Sequence, residues 1–381
     1  MNFELSETQK LIRDTARTFA KNVVAPKARE TDRHELFPAE TYKQMGELGL
    51  LGVNVPTEYG GAGAGVVSYA LAVMEISAAC CSTSVGMCVT NMCAELICQF
   101  GTEAQKQKHV TRLTSGEAIA GAFALSEPHA GSDPGAGRTT AVKKGDRWVL
   151  NGTKQWITSG AHAGVIVVWA RTSNDGNKGL SCFIVEKGTP GLSAGKHEDK
   201  MGLRGSNTVP LTFENCEIPE ENLLGRLGDG FKLAMTALDG GRIGIASQAV
   251  GTARAAVEAS VKYAKDRQAF GNAIGEFQAV KWMLADMQTQ TNAAELLALR
   301  AAFLKESKVP FTREASMAKL FASETSNRVA DKAVQLHGGY GYIDEFPVER
   351  YLRDARVQTI YEGTSEIQRI VIARELIKQL G

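Results

Sequence analysis

The spacing of apolar residues changes character twice along this 381-residue chain, and those two changes constrain the fold more than any single motif. Up to about residue 122 the spacing is helical. Ser6 followed by Glu7 reads as a helix N-cap, Leu11, Ile12, Ala16, Phe19, Ala20 and Val23 recur on one face, and Pro26 is expected to end that helix. A second helix is expected over about 38–48. Residues 66–100, after a glycine-rich loop, read as a small-residue apolar helix buried on most sides. From near Glu117 the runs shorten. Residues 118–125, 148–150, 165–170, 181–185 and 209–213 are strand-like and separated by turn residues such as Gly145-Asp146 and Pro190-Gly191. This all-β segment, about 123–230, is expected to be a small barrel or sandwich. Helical spacing then returns, with helices expected over about 231–239, 242–267, 275–306 and 312–336 and again in the 360s. Long helices with short connections point to an antiparallel bundle.

Composition narrows the function class. With 43 basic and 42 acidic residues the net charge is +1, which gives no electrostatic reason to expect a nucleic-acid or membrane-surface partner. The longest apolar stretches are broken by charge or glycine short of a membrane span. Glu4, Glu7 and Asp14 fit neither a signal peptide nor a transit peptide. Five of the seven cysteines lie between Cys80 and Cys98 without CxxC spacing, and the nearest histidine is His109. Reduced core cysteines in a reducing compartment are expected, rather than a metal set or a disulfide framework. There is no HExxH, GxSxG, P-loop or EF-hand loop.

Five stretches are too polar or too glycine-rich for connectors alone. The segment from Phe123 through Leu125, Ser126 and Gly131 to Ser132 and Asp133 ends a strand in hydroxyls and free amides, which suits a polar ligand edge; the plain alternative is a generic loop. Gln155-Trp156-Ile157-Thr158 sets an aromatic wall beside hydrogen-bonding groups, as a planar heterocycle needs, although a core tryptophan is the common case. Arg267, Phe270 and Gln278 follow a long helix, where an arginine balances the helix dipole or binds a phosphate. Gln335-Leu336-His337-Gly338-Gly339 reads as a helix C-cap or as an amide-lined pyrophosphate site. Last, Glu362-Gly363-Thr364-Ser365-Glu366 places a carboxylate on a tight turn before a helix, with a glycine that lets another molecule approach. In isolation Glu362 reads more readily as a solvated carboxylate near a positive helix end, which is common.

Taken together and in this order, these segments resemble the acyl-CoA dehydrogenase family over essentially the whole chain. The likeness is nearest to its short-chain, butyryl-CoA type, through 199–206 and 238–244. The resemblance implies an α+β, mostly α fold with an N-terminal helical domain (1–122), a middle β-barrel domain (123–230) and a C-terminal four-helix bundle (231–381). It also implies a homotetramer built as a dimer of dimers, and FAD held without a dinucleotide fingerprint. By position, Phe123, Leu125, Ser126, Gly131, Ser132, Trp156, Ile157 and Thr158 would surround the flavin ring. Arg267, Phe270, Gln278, Gln335, Leu336, Gly338 and Gly339 would hold the pyrophosphate and adenine half across a subunit interface, with Thr364 and Glu366 closing the site. Ser132, Asp239, Arg242 and Gly363 would contact the acyl-CoA.

Glu362 matches the family's catalytic base. Isovaleryl-type relatives carry the base instead at the position of Gly241, which cannot serve. The implied reaction is FAD-dependent α,β-dehydrogenation of a short-chain acyl-CoA to the trans-2-enoyl-CoA, in fatty-acid or amino-acid catabolism. Glu362 would take the Cα proton and flavin N5 the hydride, with electrons passing to an electron-transferring flavoprotein. A branched short acyl substrate, an acyl-CoA oxidase on the same fold and a non-catalytic scaffold are the competing readings. Met87, Thr90 and Asn91 are expected at the pocket floor. No metal is expected. The compartment is the cytoplasm in a bacterium, or the mitochondrial matrix only after loss of a transit peptide.

Overall fold

The computed structural model describes residues 4–380. Ser6 caps the first helix, α1 (Glu7–Phe19): its side chain accepts from the Gln9 N–H and the Gln9 side chain accepts from the Ser6 N–H. Pro26 does not end the helical path. The chain passes through a π turn, Ala20–Val24, and a 3-10 turn, Ala25–Lys27, and continues as Ala28–Arg33. Pro26 lies in the first turn of the 3-10 segment, where its missing N–H leaves no helical bond unmade. After α2 (Ala39–Glu47), the single helix expected over 66–100 is two, α3 (Gly65–Ala79) and α4 (Cys81–Phe100). They part at Cys80, whose backbone is extended (φ −156°, ψ 109°). By length and composition α4 could cross a membrane, contrary to the expectation that every apolar stretch falls short, yet 89% of that window is buried inside the molecule.

The middle segment is one continuous sheet. Its strands are β1 (Gly121–Ala124), β2 (Thr140–Lys144), β3 (Arg147–Thr158), β4 (Val165–Arg171), β5 (Leu180–Glu186), β6 (Leu192–Ala194), β7 (Thr208–Pro219) and β8 (Leu223–Leu224). They run in the order β6-β7-β3-β2-β4-β5-β8, with β1 parallel to β4. Alternation along β4 explains its two neighbours. Ile166, Val168 and Ala170 join Trp148, Leu150, Phe183 and Phe213 in the sheet's own core, so strands from both ends of the order share one interior. Val165, Val167 and Trp169 face the other way, onto Met92, Cys93 and Ile97 of α4. β2, β6 and β8 escaped the sequence reading because each is short and largely exposed or flanked by turns.

The helical part opens with α5 (Gly230–Asp266), tied to the sheet by Trp169 Nε1–H donating to the Gly230 carbonyl at 2.7 Å. The sequence pattern predicts two helices here, split at Gly240-Gly241; the structure has one of 37 residues. Then come α6 (Gln278–Glu306), α7 (Thr312–His337), α8 (Val348–Val357), which the sequence reading missed, and α9 (Ser365–Leu380). Small residues on α5, α6 and α7 (Ala246, Ala298, Ala318) pack against Val66, Ala70 and Met74 of α3. The fit at Gly251 is close: a Cβ there would lie 2.3 Å from the Met74 carbonyl oxygen. This packing brings α4, α5, α7 and the turn before α9 to one place.

Candidate active site

Glu362 stands on the turn between α8 and α9, as the residue spacing predicts, in left-handed backbone (φ 53°), and Gly363 follows in the same region (φ 86°). For a non-glycine residue that conformation costs about 1–3 kcal/mol and needs support from its surroundings. The support is visible. Gln368 Nε2 donates to the carbonyl oxygens of Glu362 (3.0 Å) and Gly363 (2.9 Å), and Lys319 Nζ, from α7, donates to the Gly363 carbonyl at 2.7 Å. Thr364 Oγ1 accepts from the Ile367 N–H at 3.3 Å and so caps α9.

The Glu362 carboxyl group is half-buried and lies against α5 at Gly241, where a Cβ would be 2.9 Å from Glu362 Oε1 and 2.9 Å from Met92 Sδ. Burial pushes its pKa up; Arg242 and then Lys319 pull it back, leaving it at about 7. Arg242 is itself buried, donating to Asp239 Oδ1 (2.6 Å) and Ser316 Oγ (3.2 Å), while Asp239 Oδ2 accepts from Thr312 Oγ1 at 2.6 Å. Arg242 and Asp239 therefore form a structured pair near the carboxyl group. Tyr361, beside it, hydrogen-bonds the Gln248 Oε1, and Gln248 Nε2 reaches the Cys81 carbonyl and Ser84 Oγ, both at 3.0 Å.

Met87 and Thr90 point away from this carboxyl group, and Asn91 is buried with its Oδ1 lacking a hydrogen-bond partner among the described residues. Met87 belongs to the N-terminal core with Tyr42 and Met45, and Thr90 Oγ1 accepts from the Gly121 N–H at 3.0 Å. One helical step away, Cys88 and Met92 face α5 instead: Met92 at Gly241, and Cys88 with Tyr69 of α3 at Gly244. The phase of α4 was not readable from a run that is apolar all round.

The β-domain residues gather at a second edge. β3 shifts register against β7 between Lys154 and Ile157, and the bulge leaves Trp156 at φ 63° and 62% exposed rather than in the core. The bulge is stitched to the loop of Leu125, Ser126, Gly131 and Ser132: the Gln155 N–H donates to the Ser126 carbonyl at 2.9 Å, and Lys154 Nζ donates to the Leu125 carbonyl (3.1 Å) and to Glu127 Oε1 (2.7 Å). Gly131 and Ser132 are exposed, and a Cβ on Gly131 would meet nothing within 4 Å. Phe123 and Thr158 are half-buried and Ile157 is buried in the sheet core.

A third group lies at the far end of α5. Arg267 is its C-cap and stacks its guanidinium 5.5 Å from the Tyr340 ring. With Leu336, Gly338, Gly339 and Tyr263 it lines an open cleft of about 440 Å³. A Cβ on Gly338 or Gly339 would meet nothing within 4 Å, Gln278 and Gln335 are exposed, and Phe270 is 94% exposed. Thr364 and Glu366 line a separate cleft of about 280 Å³ with Glu324, Arg356 and Thr359. Among the described residues, no hydrogen bond, ion pair or ring contact joins the Trp156 group to the Arg267 group.

A planar, polyanionic flavin nucleotide suits these groups: an exposed aromatic wall beside an open, exposed loop, and an arginine beside two open glycines. Sequence reasoning missed Lys319, Gln368, Gln248 and Lys154. The available signal was charge out of place: Lys319 falls on the small-residue face of α7 with Ala315, Ala318 and Ala322, and Lys154 points into the sheet core.

Three family descriptions match the chain in succession: "Acyl-CoA dehydrogenase, N-terminal domain" over residues 6–117, the middle domain over 122–216 and the C-terminal domain over 228–377. The mouse short-chain specific acyl-CoA dehydrogenase, mitochondrial, is 52% identical over 98% of this chain and 91% of its own length. The structure of butyryl-CoA dehydrogenase from Megasphaera elsdenii superposes with a TM-score of 0.97 at 42% identity, covering 99% of this chain and 100% of that one. A chain from the work on the electron transferring flavoprotein of Acidaminococcus fermentans superposes with a TM-score of 0.98 at 48% identity, over 99% of this chain and 100% of its own. With all three domains matched in order and such identity along the whole length, this chain belongs to the acyl-CoA dehydrogenase family.

Proposed function

We propose that the protein is an FAD-dependent short-chain acyl-CoA dehydrogenase with Glu362 as its base. The observation that carries this reading is the Glu362 carboxyl group itself, held at about pKa 7 on a strained turn beside a glycine face. A base poised near neutrality both carries its charge and accepts a proton from a weak carbon acid. Glu362 takes the Cα proton, and its carboxylate becomes the carboxylic acid. When bound, the flavin supplies the acceptor for the Cβ hydride. The developing enolate oxygen needs a donor, and the Glu362 backbone N–H on the same turn is the one the chain offers. An apolar acyl chain entering between α4 and α5 expels water and raises the carboxyl pKa further.

The flavin-ring end of FAD would rest against Trp156, Thr158 and the Ser126–Ser132 loop, and its pyrophosphate against Arg267 and Gly338-Gly339. Those two groups share no contact within one chain, which favours sites completed by a second copy and an oligomer of the tetrameric kind. Ser132, Asp239, Arg242 and Gly363 are the residues proposed to contact the acyl-CoA, with the Arg242–Asp239 ion pair fixing the guanidinium beside the carboxyl group. An electron-transferring flavoprotein is the proposed oxidant of the reduced enzyme, supported by the likeness to the Acidaminococcus fermentans chain.

The test is an anaerobic titration of the purified yellow protein with butyryl-, hexanoyl- and octanoyl-CoA. Butyryl-CoA is expected to bleach the flavin fastest. A colourless protein that takes up no FAD, or one bleached only by the longer thioesters, contradicts the proposal. The rate should also fall as pH drops through about 7, where Glu362 takes up its proton.

A further inference from the structure

Lys319 is fully buried on α7, among alanines, where an unpaired ammonium is costly. Its Nζ ends 2.7 Å from the Gly363 carbonyl oxygen. Gln368 is also fully buried, and its Nε2 serves the Glu362 and Gly363 carbonyls, while its Oε1 has no partner. Both hydrogen bonds that this amide donates thus go to two consecutive left-handed residues. A leucine and a methionine would fill the same volumes without burying a cation and a half-satisfied amide. The polar groups make sense only as holders of the turn.

We propose that Lys319 and Gln368 are positioning residues for the Glu362 base: together they clamp the 362–363 backbone, and Lys319 also sets the charge that the carboxyl group faces. The proposal rests on the reading of Glu362 as the base. The two members differ in kind. Gln368 fixes geometry alone. Lys319 fixes geometry and, when protonated, adds a positive charge that favours the carboxylate; burial lowers its own pKa to about 7, so that charge is fully present on the acid side of neutrality. The ionisable groups around the Glu362 carboxyl are Tyr69 on α3, Cys88 and Cys93 on α4, Arg242 on α5, Lys319 on α7, Tyr361 on its own turn and Glu366 on α9. Of these only Arg242 and Lys319 pull its pKa down, and Arg242 shares its charge with Asp239.

The experiment compares flavin-loaded wild type, Lys319→Met, Gln368→Met and Glu362→Gln in steady-state oxidation of butyryl-CoA across pH, with melting temperatures in parallel. Displacing a reacting group by about 1 Å costs on the order of 10²-fold. Both clamp variants are therefore expected to lose about that in kcat with KM within a few fold. In Lys319→Met the acid limb of kcat/KM should also move up by on the order of one pH unit, the effect of removing a nearby opposite charge. In Gln368→Met the limb should stay in place. A folded Lys319→Met with wild-type kcat and an unmoved acid limb overturns the proposal. Where Lys319→Met does not fold, Gln368→Met decides: reduced kcat at unchanged KM supports the clamp, and wild-type kcat overturns it. Wild-type turnover by Glu362→Gln would instead refute the base assignment, a result separate from either clamp outcome.

Discussion

A buried charge needs a partner, and Glu127 shows how one such pair shapes the β-domain edge. Its carboxylate is buried with Lys154 Nζ at 2.7 Å and accepts the N–H groups of Arg138 (2.7 Å) and Thr139 (3.0 Å). Burial alone would raise its pKa, but the Lys154 charge and these hydrogen bonds hold it down at about 2. The folded pKa lies below the ordinary value, so the pair's contribution is fully present above about pH 4.5 and is lost as pH falls towards 2. Lys154→Met leaves the carboxylate buried and unpaired and should cost about 3–5 kcal/mol in urea unfolding at pH 7. The deficit should shrink as pH is lowered through that window. The turn that carries Glu362 was legible in the sequence because its signals are local, a turn glycine and then a helix start, whereas its role as base came only through the family resemblance. Lys154 and Lys319 were not legible, because their partners lie 27 and 44 positions away and only folding brings them together.

Glycine is read locally as a helix breaker, at a cost of about 1 kcal/mol relative to alanine. That rule predicted a break at Gly240-Gly241 and failed, because α5 uses its glycines to let other elements close. Two substitutions separate the two uses. At Gly251 the added methyl would meet the Met74 backbone at 2.3 Å, so Gly251→Ala should destabilise the fold by about 1–3 kcal/mol in urea unfolding. At Gly241 it would meet only the ends of flexible side chains, Glu362 Oε1 and Met92 Sδ, both at 2.9 Å. Gly241→Ala should keep its melting temperature and lose on the order of 10²-fold in kcat, because the proposed base is what moves. The long periodic elements, α1, α6 and α7, were legible for the opposite reason: nothing outside them had to override their own pattern. Short strands such as β6 and β8 carry too few residues for alternation to register.

At the scale of the whole molecule, two structural parts converge on one small volume. The N-terminal helices lend Met92 and Cys88 and the C-terminal helices lend Glu362 and its supports, while the sheet presents the exposed Trp156 edge. The Arg267 cleft stands apart from this convergence and, under the proposal above, takes the phosphate end of a cofactor shared with a neighbouring copy. Arg267→Ala should therefore lower the flavin content of purified protein several-fold while leaving turnover per bound flavin near normal, as the ratio of visible to ultraviolet absorbance and steady-state assays would report. The order of the parts was plain from the changes in apolar spacing, but their meeting point was not, since no local pattern encodes it. The most direct measurement of the central claim is stopped-flow, anaerobic mixing of flavin-loaded Glu362→Gln with butyryl-CoA, followed at the flavin absorbance. Loss of a positioned base should leave thioester binding intact and slow bleaching by ~10⁴-fold, the upper end for such a loss. Bleaching at close to the wild-type rate would contradict it.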